Sequence, residues 1–244
     1  MNQNNRSRVE EITSVLTEEI LHGQYRPGER LPSERDLAAR FEVNRGAVRE
    51  ALKKLEQLGI ATIKPGGVRV VPVEEATLEV LGHMMDLDDL PNPDLVEQLF
   101  EVLGAMMALS ARSAIEKATD EQIGHLRTII GRLIHGNLDQ AARQQNWKEL
   151  GDYFTEINRN LVLRLIGNGL KLQFVGRLEK IGVLVKLDPD ENLKILRRMD
   201  AAMEQRNQRD LSDAIITHFT LIKESILKAL NEKEDATLRS ALNA

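Results

Sequence analysis

The sequence predicts a mainly α-helical protein in two parts: a small N-terminal part that closes with a two-stranded hairpin, and a longer antiparallel helical bundle. Apolar residues recur every three or four positions through most of the 244 residues, as on the buried face of a helix. A strand-like pattern of useful length occurs on the two sides of Pro65-Gly66-Gly67. Leu90-Pro91-Asn92-Pro93 is the clearest helix breaker and divides the chain.

The first predicted helix covers about residues 6–22, and Gly23 ends it. Its apolar residues share one face: Val9, Ile12, Val15, Leu16 and Ile20. Arg26-Pro27-Gly28 then turns the chain. We expect this helix to be the scaffold on which the following elements pack.

Residues 31–58 predict two short helices joined by a tight turn. Ser33 is placed to cap the first helix, and Asp36 is a weaker form of the reciprocal partner three residues later. Residues 42–44 interrupt the helical pattern. The second helix then repeats its apolar residues on one side: Val48, Ala51, Leu52, Leu55 and Leu58.

The opposite side of the second helix carries Arg45, Arg49 and Lys53, each four residues apart. Basic residues at this spacing are most often only a solvated face. The next pattern favours a more specific role, because residues 60–64 and 68–71 predict a hairpin with basic residues beside its glycine turn. Helix, helix-turn-helix and hairpin is the order of a winged helix that reads double-stranded DNA.

The N-terminal part also carries a family resemblance. The residues concerned are Gln24-Tyr25-Arg26-Pro27-Gly28, Leu31-Pro32-Ser33-Glu34-Arg35-Asp36-Leu37-Ala38, Asn44-Arg45 and Val48-Arg49-Glu50-Ala51-Leu52. They resemble the signature of the GntR family of bacterial transcription regulators, and the long helical remainder resembles its FadR-type branch. The resemblance implies a winged-helix DNA-binding domain over 1–73, a linker helix within 74–91, and a helical effector-binding and dimerisation domain over 92–244.

The remainder of the chain predicts helices throughout. They cover residues 74–86, 94–117, 119 to about 135 with Thr119 as cap, a short stretch after Gly136-Asn137, 147–166, 170–187, about 190–205 and about 210–230. Gly167-Asn168-Gly169 and Asp188-Pro189-Asp190 are predicted turns. Beyond the breaker, these helices predict an antiparallel bundle of six or seven.

Composition restricts the class of protein. Residues 1–72 carry 12 Lys and Arg against 10 Asp and Glu, whereas the remainder carries 21 against 28. Because the N-terminal part is nearly neutral and the remainder of the chain is acidic, DNA binding must depend on a few well-placed arginines. The aromatic content of 3% argues against stacking on single strands. Zero cysteines and the lack of an apolar run near ~20 residues predict a cytoplasmic protein without a membrane segment.

No catalytic pattern stands out in the helical part of the chain that follows the hairpin. It contains no phosphate-binding glycine loop, nucleophile elbow or thiol, and the five histidines form no pair at i and i+4. We therefore expect neither an enzyme nor a cofactor, and an enzyme with a DNA-binding head is the disfavoured alternative.

The family resemblance makes the metal question specific. Many FadR-type bodies hold a metal with one Asp and three His, and these positions fall here on Gly151, Thr155, Leu196 and His218. One imidazole cannot hold Zn²⁺ or Ni²⁺, which take three or more protein ligands, so we expect no metal. The carboxylate-anchoring Arg of many members falls on Leu103.

These replacements predict a metal-free, mostly apolar effector cavity. The expected lining is Leu103, Met106, Met107, Phe154, Ile157, Leu161 and His218. Similarity to the namesake fatty-acid regulator favours a long-chain acyl-coenzyme A or fatty acid, and so a role in fatty acid metabolism. Two alternatives stay open: a small organic acid as effector, and a ligand-independent structural DNA-binding dimer.

The resemblance also implies how DNA is read. A homodimer would place two winged helices on a pseudo-palindromic operator. Arg35, Arg45 and Arg49 are the predicted base or base-adjacent contacts, because the guanidinium fork matches guanine O6 and N7. Gly66 would let the hairpin tip approach the minor groove. The predicted phosphate contacts are Asn44, Lys53, Lys64 and Arg69.

Overall fold

The computed structural model describes the backbone of residues 3–88, 90–180 and 185–242, and the side chains of 8–88, 90–170 and 185–236. The chain separates into two compact units, Met1–Pro91 and Asn92–Ala244. The boundary between these units falls inside the Leu90–Pro93 breaker.

The first unit contains four helices and one hairpin within its described residues. In chain order these are α1 (Gln3–Leu21), α2 (Glu34–Arg40), α3 (Arg45–Gln57), β1 (Ala61–Lys64), β2 (Gly67–Val70), a 3-10 turn (Val73–Glu75) and α4 (Val80–Met85). β1 and β2 pair antiparallel, with Ala61 opposite Val70 and Lys64 opposite Gly67. The predicted winged helix-turn-helix with a two-stranded wing is confirmed.

Side-chain caps fix the start of each helix in the helix-turn-helix. The Ser33 hydroxyl oxygen accepts the Asp36 amide at 3.3 Å, and the same hydroxyl donates to the Asp36 carboxylate at 2.6 Å. The Asn44 side chain accepts the Ala47 amide at 2.9 Å at the start of α3. Between the helices, Glu42 has a φ of 53°, and the Val43 amide bonds to the Ala38 carbonyl at 3.0 Å. This left-handed residue is the Schellman type of helix end, here without the usual glycine.

The core of the first unit is built where α1, α3 and the hairpin meet. Buried side chains there include Ile12 and Leu16 of α1, Val48 and Leu55 of α3, Ile60 directly before β1, and Val70 of β2. Burying a side chain of this size stabilises the fold by roughly 1.5–3 kcal/mol. The expectation that α1 is the scaffold for the reader therefore agrees with the packing.

A third extended segment adds to the hairpin. The Gly28 amide bonds to the Val70 carbonyl at 2.9 Å, and the Leu31 amide bonds to the Val68 carbonyl at 3.0 Å. Arg30 thus forms an isolated bridge with Arg69 on the free edge of β2. The sequence pattern did not predict this pairing.

The predicted helix over residues 74–86 is shorter in the structure, where α4 spans Val80–Met85. The preceding residues lie across Gly59, since a Cβ on Gly59 would come within 3.0 Å of the Ala76 Cα. The Thr77 amide is held by the Leu58 carbonyl at 2.9 Å, which keeps this stretch extended. Val80 then joins the core of the first unit.

The second unit is helical throughout its described residues. Its six helices are α5 (Pro93–Lys117), α6 (Asp120–His135), α7 (Gln140–Asn158), α8 (Leu161–Lys180), α9 (Pro189–Glu204) and α10 (Gln208–Leu242). The predicted all-α bundle of six or seven helices is confirmed. Thr119 caps α6 as predicted, in a reciprocal capping box with Gln122.

The helix boundaries around α7 and α8 differ from the sequence pattern. The chain breaks at Arg159, which has a φ of 55°, and the Asn160 side chain then accepts the Leu163 amide at 3.0 Å. α8 continues through the predicted turn at 167–169, because glycine inside a helix costs only about 1 kcal/mol each and packing overrides it. Residues 181–184 of the predicted 170–187 helix lie outside the described residues.

A single apolar core holds the second unit together. α5, α6, α7, α9 and α10 contribute to it, and its largest fully buried side chains are Ile115, Leu126, Ile129, Ile130, Phe154, Leu196 and Met199. None of the described helices has the length and apolar content needed to cross a membrane.

The buried Thr17 is a weak point in the first unit. Its hydroxyl is fully buried on α1 and has no hydrogen-bond partner among the described residues. Thr17→Val removes the hydroxyl and keeps the shape, so we expect the free energy of unfolding to rise by about 1 kcal/mol in urea titrations. The matched control is Thr13→Val, which removes a bond of 2.7 Å from Thr13 to the Val9 carbonyl and should give no gain. Equal effects of the two changes would contradict this account.

Candidate nucleic-acid interface

The outward face of α3 carries the basic residues that were predicted to lie there. Arg45, Arg49 and Lys53 are all exposed, whereas Val48 and Leu52 on the opposite side are buried. The Arg45 side chain has no hydrogen bond or ion pair within the part of the chain that the structure describes. An exposed helix face of this kind fits the major groove of B-DNA.

Arg49 is oriented by a neighbour on α2. Its Nε lies 2.8 Å from the Glu34 carboxylate, and the two side chains are 63% and 37% exposed. A pair this exposed is worth only about 0–1 kcal/mol, so it orients the guanidinium without withholding it from DNA. The hydrogen bonds from Arg49 to Glu34 use Nε and not the two Nη groups.

Arg35 lies in the first turn of α2, and its side chain is 78% exposed. Its Nε is 3.5 Å from the Asp36 carboxylate. The Ser33 hydroxyl, which donates to that carboxylate, is the main reason that the pKa of Asp36 is lowered. Arg35 and Asn44 thus lie at the starts of the two helices that face the same groove in a helix-turn-helix.

The hairpin tip adds a second basic surface. Lys64 is exposed next to the turn, where Pro65 and a φ of 98° at Gly66 match a type II turn. Arg69 is only half exposed, and its guanidinium donates to the Gly28 carbonyl at 2.6 Å. Arg69 therefore supports the wing more than it projects from it.

Arg30 is the residue that the sequence analysis missed. A Cβ on Gly66 would lie 3.4 Å from an Arg30 Nη atom, so this guanidinium sits against the hairpin tip. Arg30 reaches this place through its pairing with β2, which joins residues far apart in the chain. The local signal was weak: three residues between Gly28 and Pro32 with no helical pattern.

Where one apolar cavity was expected, the described part of the second unit has two neighbouring pockets, and a further one of about 250 Å³ lies between α5 and α10. The larger holds about 260 Å³ and is lined by Leu103, Met106, Met107, Ser110, Gly151, Asp152, Thr155, Leu163, Arg164, Gly167 and Asn168. The smaller holds about 110 Å³ and is lined by Met107, Trp147, Leu150, Gly151, Phe154, Met199, Ile215, His218, Phe219 and Ile222. Met107 and Gly151 border both.

The seven predicted cavity residues are accordingly not brought together. Leu103 and Met106 line the larger pocket, Phe154 and His218 line the smaller one, and Met107 lines both. Ile157 packs into the core instead. Leu161 is 65% exposed on α8 and lines neither pocket, because the break at Arg159 starts a new helix there.

The positions of the family metal site hold other side chains. A Cβ on Gly151 would lie 2.7 Å from the Met107 Cε, so the Met107 thioether occupies the space next to this position. Leu196 is a core residue. Among the described residues, no group of three or more His, Cys, Asp or Glu is placed to hold a metal ion.

Of the four positions of the family metal site, only 218 holds a histidine, and His218 is buried. It stacks on Trp147 with ring centroids 4.0 Å apart, and its Nδ1 has no partner among the described residues. Burial lowers the pKa of His218 to about 4. The imidazole is therefore neutral at pH 7 and forms part of the wall of the smaller pocket.

An exposed basic recognition helix, capped and backed by an apolar core and followed by a basic hairpin, defines a winged-helix DNA-binding protein. Residues 8–71 match the family described as bacterial regulatory proteins, gntR family. The chain is 31% identical over 178 residues to Rv0494, an uncharacterised HTH-type transcriptional regulator of Mycobacterium tuberculosis, covering 70% of this chain and 71% of that one. The chain belongs to the GntR family and is a DNA-binding transcription regulator.

Other relatives share this character. The galactonate operon transcriptional repressor of Escherichia coli is 27% identical over 140 residues, covering 56% of this chain and 60% of its own. A solved GntR-family transcriptional regulator from Pseudomonas syringae is 17% identical, with a TM-score of 0.47 over 97% of this chain and 99% of that one. Membership of a family of transcription regulators confirms the expectation that this chain is not an enzyme.

His218 should make the stability of the second unit depend on pH. Its pKa is near 6.5 in the unfolded chain and about 4 in the folded one, so only the unfolded state takes up the proton between these values. Stability is therefore lost as the pH falls from 6.5 toward 4, by about 1.4 kcal/mol per unit and roughly 3 kcal/mol in all. Urea titrations across this range should show a shallower pH dependence for His218→Gln. Parallel curves for the two proteins would contradict a buried neutral imidazole.

Proposed function

We propose that the protein is a homodimeric, effector-responsive regulator of the FadR-type branch that reads a pseudo-palindromic operator. The main support for DNA reading is the set of exposed guanidinium groups on α3 and at the start of α2. The alternatives of a DNA-binding enzyme or a single-strand binder have no comparable support in the described residues.

Base reading is assigned to Arg35, Arg45 and Arg49. Arg45 and Arg49 are one helical turn apart on the same face of α3, so they reach neighbouring base pairs in one groove. Each planar fork can donate twice to a guanine, which makes these contacts sensitive to sequence. Glu34 holds the Arg49 side chain before DNA arrives, which lowers the entropy lost on binding.

Phosphate binding is assigned to the wing and the flank of α3. Lys64 and Arg30 lie beside the hairpin tip, and the backbone at Gly66 carries no Cβ that would hold it away from the minor groove. Lys53 pairs with Glu50 at 2.9 Å on the exposed surface, a weak contact that a phosphate can replace. Asn44 uses its side-chain oxygen as a cap, which leaves its amide N–H groups for the backbone.

Dimerisation is assigned to the outer face of α8. Leu161, Val162, Leu165 and Ile166 are all between 42% and 66% exposed. Their spacing puts them on one side of the helix, and α5, on which α8 packs, adds exposed Val102 and Leu109. An apolar stripe of this kind on a regulator that must hold two half-sites is best explained by a second copy of the chain.

Effector binding is assigned to the larger pocket of the second unit. Its volume of about 260 Å³ lies just below the range of roughly 300–1,000 Å³ for drug-sized ligands. A long-chain acyl-coenzyme A is much larger than this, so the pocket favours the small organic acid among the effectors considered. The polar lining, with Arg164 and Asp152, points the same way.

The DNA contacts can be tested by selecting duplexes from a random pool and then measuring gel shifts on the selected site. Arg45→Ala and Arg49→Ala should each cost about 1–3 kcal/mol of binding free energy and relax preference at one base position. Lys64→Ala should weaken all sequences alike and reduce the salt slope by about 1.

The matched control for these changes is Arg8→Ala, which removes an exposed arginine of α1 that pairs with Glu11. It should leave both affinity and preference unchanged. If Arg49→Ala behaved like this control, α3 would not be the base-reading helix.

The dimer face can be tested by sedimentation equilibrium. Leu165→Glu places a charge in the proposed contact, which should convert the dimer to monomer and reduce operator affinity at least about tenfold, because the linked second half-site is lost. Ile216→Glu puts the same charge on an exposed apolar position of α10 and should keep the dimer. A Leu165→Glu protein that sediments as a dimer would remove α8 from the interface.

A further inference from the structure

We propose that Arg30 enters the minor groove beside each half-site and makes the protein prefer operators whose groove there is narrow and rich in A·T pairs. The proposal rests on the proposed function, since it takes α3 to lie in the adjacent major groove. It adds sequence selectivity to the phosphate contacts assigned there to the wing. Narrow A·T-rich minor grooves concentrate negative potential and attract inserted guanidinium groups.

The hairpin and the segment paired with it have one buried face and one basic face. Four apolar side chains point into the core of the first unit and are at most 9% exposed: Leu31, Ala61, Val68 and Val70. Because side chains alternate along a strand, the residues between them point the other way. The outward face thus carries Arg30 on the added segment, Thr62 and Lys64 on β1, and Arg69 on β2.

Arg30 and Arg69 lie directly opposite each other on this face. The backbone hydrogen bonds on either side of the pair belong to neighbouring residues, and at such a position the two side chains are close. Like charges directly opposite are destabilising. The Arg69 guanidinium donates to the Gly28 carbonyl at 2.6 Å, whereas the Arg30 side chain is exposed and has no hydrogen bond or ion pair among the described residues. An anionic partner at Arg30 relieves this repulsion.

The Arg30 guanidinium lies at the thinnest part of the hairpin. A Cβ on Gly66 would be 3.4 Å from an Arg30 Nη atom and 3.9 Å from its Cζ, so the guanidinium lies against the tip. Gly66 and Gly67 have φ values of 98° and 128° and carry no side chain. The minor groove of B-DNA is only about 6 Å wide. Two glycines with a flat guanidinium beside them can enter it where a branched side chain would not.

Lys64, at the same tip, is suited to a different contact. Its ammonium is a compact and strongly hydrated charge, whereas a guanidinium is planar and more weakly hydrated. Entering a narrow groove removes water from the cation, which favours Arg30 for the groove and Lys64 for the phosphates at its rim. The groove also separates A·T from G·C, because the guanine N2 amino group is a donor that opposes the donors of Arg30.

Fluorescence anisotropy on the full-length protein tests this reading. The duplexes share the selected half-sites and differ only in the base pairs next to each half-site, which are A·T, G·C, inosine·C or diaminopurine·T. Inosine lacks the guanine N2 amino group and diaminopurine adds one to adenine, while the major-groove donors and acceptors stay those of the parent base.

The affinities should follow the minor-groove pattern. We expect A·T and inosine·C flanks to bind at least about fivefold tighter than G·C and diaminopurine·T flanks, which is the lower end of what one changed base pair costs. Equal affinities for all four flanks, or affinities that follow the major-groove pattern, overturn the proposal.

Substitutions at the hairpin tip assign the preference to one residue. Arg30→Ala should lower the affinity for A·T flanks at least about fivefold and make the four flanks equal. Lys64→Ala should weaken all four alike and keep the preference, and Arg8→Ala should change neither. If Arg30→Ala also keeps the preference and weakens all flanks alike, Arg30 is a phosphate contact and the proposal fails.

Arg30→Lys separates the guanidinium from its charge. It should keep the salt slope of the wild type but lose most of the flank preference, because the ammonium is harder to dehydrate. Both Arg30 variants should melt with the wild type, since the side chain has no internal partner, whereas Arg69→Ala loses the bond to Gly28 and should melt lower. Full preference in Arg30→Lys overturns the proposal, whatever the melting temperature of Arg30→Ala.

The same binding series keeps this inference apart from the proposed regulator. Wild-type protein that binds its selected operator without flank preference leaves the regulator intact and removes only the reading by Arg30. Failure to select any duplex would reject the regulator, and this inference with it.

Discussion

The winged-helix unit depends on the burial of one side of α3 against α1. Val48, Leu52 and Leu55 are almost completely removed from solvent, and α1 supplies Ile12 and Leu16 to the same core. Because a helix has fixed angular spacing, burying these residues forces Arg45 and Arg49 outward. The apolar face therefore positions the guanidinium groups, which need no further support than Glu34 and the Asn44 cap.

Local sequence was sufficient for this unit because its signals are short-range. Ser33 was recognisable as a cap from residue type and position, and the α3 stripe follows from spacing alone, whereas Asn44, predicted as a phosphate contact, is the cap of α3. Arg30 was missed since its place depends on pairing with β2, a contact between distant residues. Glu42 in the left-handed region also gave no signal, because glycine is the residue that normally marks such a turn.

The second unit was less predictable for a related reason. Periodicity identified its helices, but the break at Arg159 and the continuation of α8 past Gly167 depend on packing that propensity does not encode. Because the boundary between α7 and α8 differs from the predicted one, the pocket has a different lining from the predicted cavity. Leu161 left the expected cavity for the surface, and Arg164 entered the pocket as a cation that sequence spacing had not associated with it.

α8 consequently borders the proposed effector pocket and also carries the proposed dimer stripe. Around the helix Arg164 lies about 160° from Val162 and about 100° from Leu165, since successive residues turn by about 100°. A ligand in the larger pocket would therefore contact the same helix that is assigned to a second copy of the chain. Ligand and dimer contact can influence each other only through differential affinity for positions of α8, and by linkage that influence must be reciprocal. The break at Arg159 permits such movement, because α8 is not continuous with α7 and begins with its own Asn160 cap.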